Sequence, residues 1–350
     1  MAISKNLYGE LNGVKVNAFT LENKNGMKAE IIEKGATLEK LFVKTKNGDF
    51  VDVLSGHDTL KGHVERSDYQ GVVVGQYANR IKGGKFSIDG VEYNLTKNDN
   101  GITCLHGGGE YSSAVWTGEE ASDKAVTFTL FSKDGTDGFP GNVNARVTYE
   151  LTDSDELILT YNAVSDKKTV INLTNHAYFN LDGFDSGDIL DHELQINADY
   201  FTPIDETSIP LKMAEDVTNT PFDFRKSKKI GKDIDCTDHL QIKNGNGYDH
   251  NFILNNFNGE LNTCAIAKAS KTGIKMEVKT TLPGVQFYTG NFLDGTILGK
   301  EEKPLTKRCS FCLETQVYPD SPNHQDWCKC VYDANEVYTS QTVFAFSLQD

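Results

Sequence analysis

Apolar residues in this chain recur at every second position over short runs, and nowhere at helical spacing over several turns. A buried helix stripe needs apolar residues about every 3.6 positions, whereas alternation at period 2 marks a half-buried strand. The runs "AVTFTLFS" (125–132), "NARVTYELTD" (144–153), "ELILTYNAVS" (156–165), "TCAIAKAS" (263–270), "IKMEVKTTL" (274–282), "CSFCLETQVY" (309–318) and "QTVFAFSL" (341–348) all follow it. In "FSIDGVEYNL" (86–95), Asp89-Gly90 sits between alternating flanks and supplies the positive φ angles that a two-residue hairpin turn demands. The expectation is an all-β fold, a large antiparallel sandwich or barrel, with any helices short.

Composition narrows the organisation and the partners. A chain of 350 residues is about two domains by the length prior, but all-β units often run longer as one. No Pro/Ser-rich linker, low-complexity run or repeat divides it, so 1–350 is expected to be a single domain, with 182–250 as elaborated loops. Fifty acidic against 35 basic residues give a formal charge of −15, which opposes attraction to nucleic acid or anionic lipid. The start, "MAISKNLYGE", lacks an apolar signal region, and no apolar run approaches the roughly 20 residues of a bilayer span, so a cytoplasmic location is expected. In that compartment Cys104, Cys236, Cys264, Cys309, Cys312, Cys328 and Cys330 are expected as reduced thiols.

Five segments place titratable or hydrogen-bonding groups in an alternating or glycine-rich setting: "GQYANRI" (75–81), "CLHGGG" (104–109), "NLTNHAYFN" (172–180), "GYDHNFIL" (247–254) and "CLETQVYPDSPN" (312–323). As a strand, 172–180 would put Asn172, Thr174, His176, Tyr178 and Asn180 on one face. Likewise Cys312, Glu314, Gln316 and Tyr318 would oppose Leu313, Thr315 and Val317. Taken alone, such a row is most often a solvated face. His106 could be only a turn residue, Asp249 an Asx-turn former, and Arg80 a surface ion-pair partner. The rows are nevertheless rich in His, Glu, Asp, Arg, Asn and Gln, and Lys is missing from all five segments.

Other chemistries find less support. "CSFC" with "CKC" offers four thiolates, but in a strand Cys309 and Cys312 would face opposite ways, so a zinc site is not expected. The chain has no His-Glu-x-x-His, no P-loop and no serine nucleophile elbow.

In order along the chain, "NRI" (79–81), "LHGG" (105–108), "NLTNHAYFNL" (172–181), "YDHNFIL" (248–254), "PGVQFYTGNFLDG" (283–295) and "LETQVYPDSPN" (313–323) resemble the aldose 1-epimerase family, and within it the galactose mutarotases. The resemblance implies a galactose-mutarotase-like supersandwich, with an open cleft and interconversion of the α and β anomers of free sugars without cofactor or metal. Position by position, it makes Glu314 the general base, His176 the general acid, and His106 a partner at the ring oxygen. Asn79, Arg80, Asp249 and Gln286 become ligands of sugar hydroxyls; Tyr178, in the row of His176, is added as a lining residue. Two stretches depart from the family pattern. "GEYSSAVW" replaces a Gly-Phe-Asp-Lys-like run after "LHGG", and "HQDWCKC" follows "YPDSPN" in place of Phe-Pro. Both are expected in loops near the cleft, where they bear on sugar preference.

Mutarotation opens a hemiacetal by taking the C1 hydroxyl proton while the ring oxygen receives one, so one base and one acid suffice. The expected partner is a neutral sugar, galactose or glucose, bound by a monomer or homodimer with no nucleic acid or membrane involved. A two-limbed pH profile is expected, with Glu314 ionised and His176 protonated. The competing expectations are a non-catalytic sugar-binding protein, a hexose-6-phosphate 1-epimerase needing further Arg or Lys, and a lyase or glycosidase pairing Asp249 with Glu314.

Overall fold

The computed structural model describes residues 2–65 and 68–349. A nine-stranded antiparallel sheet forms its centre, in the order Thr117–Glu120, Ala125–Ser132, Val143–Leu151, Glu156–Ser165, Val337–Leu348, Ile274–Thr280, Asn262–Lys268, Glu193–Ile196 and Lys228–Lys229. The alternating runs form these strands because each has one apolar face to bury: along Glu156–Ser165 every second residue is buried. A second antiparallel sheet, Ala2–Leu11, Val14–Glu22, Lys28–Ile32, Thr37–Lys44 and Phe50–Asp52, packs its apolar face against the first. Phe19 meets Phe128 edge-on at 5.5 Å, and Phe128 meets Tyr149 likewise at 5.8 Å. Burying each such ring contributes roughly 1.5–3 kcal/mol. This is the expected β-sandwich. The helices among the described residues are short, the longest being the six-residue Leu60–Glu65 and Leu240–Gly245, and none is long and apolar enough to cross a membrane.

The Asp89-Gly90 hairpin forms as expected between Lys85–Ile88 and Val91–Asn94, with φ of 51° and 80° at the two turn residues. Two expectations change. Only Thr174–Asn175 of 172–180 joins a regular ladder, with Val73–Val74; isolated bridges at Asn172 and Phe179 hold the remainder. The segment runs between sheets, so side chains complete its pairing: Asn172 accepts from the Val317 amide, and Asn180 donates to the Cys309 carbonyl. All five polar residues of the row are buried, so it is not a wet face. The second change is at 309–318, where the strand is Cys312–Gln316 alone. Cys309 therefore precedes the strand and lies in the same small cluster as Cys312, not opposite it, while Cys330 and Cys328 pack in another cluster. The four thiols do not converge.

A third sheet carries the site. Its strands run Glu215–Asp216, Tyr200–Phe201, Asp249–Ile253, Gly284–Tyr288 and Cys312–Gln316. Register aligns Asn251 with Gln286 and Gln286 with Glu314; in the neighbouring row Asp249 aligns with Tyr288 and Tyr288 with Cys312. Because side chains alternate, these polar residues share one face while Phe252, Val285, Phe287 and Leu313 enter the main core from the other.

Candidate active site

The polar face of the third sheet forms the floor of a cavity of about 250 Å³ lined by Asn79, Arg80, His106, His176, Tyr178, Asp249, Gln286 and Glu314. All eight residues singled out from the sequence thus meet in one place. Glu314 comes from the central row of the sheet, and its Oε1 lies 3.6 Å from Nε2 of His176. That separation is too long for a hydrogen bond and short enough for both groups to reach one sugar oxygen or its neighbour. Oε2 of Glu314 is buried without a partner among the described residues.

Local backbone geometry sets the two imidazoles. Asn79 and His106 both adopt positive φ, 64° and 51°, and clamp each other: the His106 amide donates to the Asn79 carbonyl at 3.0 Å, and the Asn79 amide donates to His106 Nδ1 at 3.2 Å. The following Gly107 has φ of 72°, and a Cβ there would sit 2.1 Å from the Gly75 carbonyl oxygen, which explains why His-Gly is needed at this corner. His106 and His176 meet edge-on with ring centroids 5.1 Å apart. Tyr178 stacks on His176 at 4.9 Å, and its hydroxyl is engaged by the Asp68 carbonyl, so it acts here as a wall.

The polar face of the third sheet beside Glu314 carries a linked network. Gln286 donates to Asp249 Oδ1 at 2.8 Å; Gln316 donates to Asn251 Oδ1 at 3.1 Å and to Gln286 Oε1 at 3.3 Å. Arg80 is held by Asp99 through Nε at 2.9 Å. The ion pair considered from the sequence therefore exists, but it orients a guanidinium that lines the cavity.

Burial dominates the electrostatics. It pushes the His176 imidazole down to about 4, opposed by its own carbonyl and by Asp68. The carboxyl of Glu314 is pushed well above the ordinary range by burial and then by the charge of Asp249, with Arg80 opposing. Burial also raises Asp249 and, with His176 and Arg80, holds His106 well below the usual imidazole value. In the unliganded site both shifts favour the neutral forms, a protonated Glu314 beside an uncharged His176, so burial opposes the charged pair expected from the sequence. The total is unchanged, since a neutral acid beside a neutral imidazole carries the same single proton as a carboxylate beside an imidazolium.

Donor atoms of His106, His176 and Glu314 all lie within 4.8 Å of one another, a grouping that a metal could in principle span. The His106 tautomer opposes it. Nδ1 accepts from an amide N–H, so the ring proton is on Nε2, whereas a ligating histidine needs a bare nitrogen toward the metal and an acceptor behind the other.

Several lining residues were missed from the sequence: Asp68, Tyr69, Leu105, Tyr288, Phe292, Leu293 and Ile297. Alternation from Gln286 could have found Tyr288. Tyr69, which lies over both His106 and His176 at 4.7 and 5.9 Å, stands in no motif.

The aldose 1-epimerase family model matches residues 17–345. The chain belongs to the aldose 1-epimerase family. It is 41% identical to galactose mutarotase of Rattus norvegicus, covering 99% of both chains. It is 36% identical to aldose 1-epimerase of Escherichia coli (strain K12), covering 96% of both. Its fold matches the crystal structure of galactose 1-epimerase from Lactobacillus acidophilus NCFM with a TM-score of 0.88, at 29% identity and 99% coverage of each chain. Of the two stretches that depart from the pattern of this epimerase family, Glu110, Ser112 and Ser113 border a wider groove of about 710 Å³ that shares Asp68 and Tyr69 with the site. The other stretch packs away from it, with Gln325 donating to the Ser87 carbonyl and His324 stacked on Trp327.

Proposed function

We propose that Glu314 and His176 are the base and acid of anomer interconversion in this chain, acting on free galactose or glucose. Membership of the aldose 1-epimerase family makes the protein an isomerase of aldose anomers. The observation that carries the assignment is the buried pair, Oε1 of Glu314 at 3.6 Å from Nε2 of His176, on the floor of a sugar-sized cavity. A bound sugar offers its C1 hydroxyl proton to Glu314 and its ring oxygen to His176, which draws the shared proton onto the imidazole. The C1–O5 bond breaks as Nε2–H protonates O5 and Glu314 takes the hydroxyl proton. After rotation about C1–C2 the transfers reverse and the ring closes on the other face. His106 donates from Nε2 toward the oxygen that gains charge, while Asn79, Arg80, Asp249 and Gln286 hold the remaining hydroxyls. The exposed ring of Phe292 with Tyr288, Leu293 and Ile297 supplies the apolar wall.

Arg80 is the one lysine or arginine among the described lining residues, and it is already paired with Asp99; this favours a neutral sugar over a phosphorylated one. A core cluster drawing on residues from Phe19 to Phe346 supports a single domain over 1–350. All seven cysteines are unpaired, which accords with a reducing, cytoplasmic compartment.

Polarimetry tests the reading. Freshly dissolved α-D-galactose or α-D-glucose should reach equilibrium rotation faster with the protein, glucose 6-phosphate should not, and His176→Asn should lower the rate by about 10²–10⁴-fold. Unchanged relaxation of both neutral sugars would overturn it. The pH profile follows from the single-proton requirement. Activity falls on the acid side as His176 takes a second proton, at about 4. On the alkaline side it falls as Glu314 loses its proton, above the ordinary carboxylate range. Measured kcat/KM against pH should show that low acid limb; an acid limb, with activity rising as pH increases through the ordinary imidazole value of about 6.5, would contradict the assignment.

A further inference from the structure

The two site imidazoles differ in what stands behind them. Behind His106 is an amide N–H, which can only donate, so Nδ1 is bare and the proton is fixed on Nε2. Behind His176 is a thiol: Cys312 Sγ lies 3.5 Å from Nδ1, and both residues are buried. Sulfur in a thiol can donate or accept. The two choices have opposite consequences for Nε2, the nitrogen that faces Glu314.

We propose that Cys312 is a positioning residue whose sulfur accepts the Nδ1–H of His176, holding the tautomer in which Nε2 is free to take and return a proton, the reverse of the tautomer fixed in His106. This rests on the acid role given to His176 above. During ring opening an imidazolium gives its Nε2 proton to O5, and the neutral ring that remains must keep its proton on Nδ1. On closure Nε2 takes the proton back from O5–H. If the thiol donated instead, Nδ1 would be bare and the proton would sit on Nε2; the ring could then neither accept there nor give the proton up without becoming an imidazolate. Sulfur as acceptor thus suits every stage of the cycle.

The other groups facing His176 leave this task to Cys312 and to the ring's own carbonyl. Tyr69 and Tyr178 stack on it, His106 and Tyr288 meet it edge-on, Glu314 faces Nε2, and Asp68 acts only at longer range. Burial and the neighbouring Glu314 and Asp249 charges push the Cys312 thiol well above its ordinary value, so sulfur remains neutral. A neutral, weak acceptor orients the ring without stabilising its charged form as a carboxylate would. It lets burial keep the imidazole a ready proton donor once charged.

The test is ¹⁵N NMR of histidine-labelled protein at neutral pH, with the His176 signals assigned by their loss in His176→Asn. Wild type should show His176 with its proton on Nδ1 and His106 with its proton on Nε2. Cys312→Ser, which keeps an acceptor, should preserve both tautomers and hold kcat within a few-fold. In Cys312→Ala the Nδ1–H keeps only the residue's own carbonyl, so the His176 proton should divide between Nδ1 and Nε2, and kcat should fall about 10- to 100-fold with KM little changed, as when the orienting partner of a histidine is removed. The unchanged His106 signal reports an intact site. A bare Nδ1 on His176 in the wild type would overturn the proposal even if no variant folds, and so would an alanine variant with both tautomer and kcat unchanged. The wild-type tautomer is read without substrate, so failure of this proposal is separable from an absence of mutarotation.

Discussion

Glu314→Gln should lower kcat for mutarotation by about 10²–10⁴-fold, the range for loss of one general base, while the melting temperature stays level or rises. The substitution keeps the shape of the side chain and removes its proton acceptor. It also removes a liability, because Glu314 is 2% exposed, lies near the Asp249 charge and leaves Oε2 without a partner among the described residues. With the base role proposed for Glu314, this is function at the expense of stability, the usual trade at a reactive site. Loss of activity together with a large fall in melting temperature would instead mean that Glu314 holds the sheet together.

Lys300→Met should have the largest effect on stability, about 3–5 kcal/mol by denaturant unfolding with unchanged slope. Its ammonium, 3% exposed at the side chain, donates to Asp52 Oδ2 at 2.6 Å, to the Leu54 carbonyl at 2.8 Å and to the Glu39 carbonyl. Methionine would fill much of the space but leave Asp52 buried and uncompensated, which is the costly way to break such a pair. Changing Asp52→Asn in addition should recover part of the loss. Lys300 lies in segment 289–311, which also supplies Phe292, Leu293 and Ile297 to the cavity wall. KM should therefore rise in Lys300→Met more than kcat falls, and a stability change under 1 kcal/mol would show that the buried pair is not what anchors this segment.

Much of the fold could be read from alternation alone. Glu156–Ser165 matches its expected range because one face is wholly buried, Ala125–Ser132 because Val126, Phe128 and Ser132 are buried on one face with Leu130 partly so, and the Asp89-Gly90 turn follows from the φ angles it requires. The sheet formed by Ala2–Leu11 to Phe50–Asp52 was not picked out. Thr37–Lys44, for instance, buries its first three residues in succession, which erases the period-2 signal. Within the site, His176 and Glu314 stand in recognisable motifs and Cys312 shares the face of Glu314 by simple alternation. Which nitrogen of His176 meets which atom depends on how segment 172–180 crosses the third sheet, and nothing local encodes that. Tyr69 and Asp68 arrive from a stretch without periodicity, and the role of Asn79 as a clamp for His106 arises from two loops meeting at positive φ.

The central claim is that a buried carboxyl and imidazole exchange a proton across the C1–O5 unit of a free sugar and so connect its anomers. Two-dimensional exchange NMR of galactose at anomeric equilibrium measures this directly, without mixing or dilution. With catalytic amounts of the wild-type protein, cross-peaks should join the α and β H1 resonances at mixing times where the sugar alone shows none, and Glu314→Gln should remove them. A wild-type spectrum with no α–β cross-peaks, for either galactose or glucose, would contradict the account.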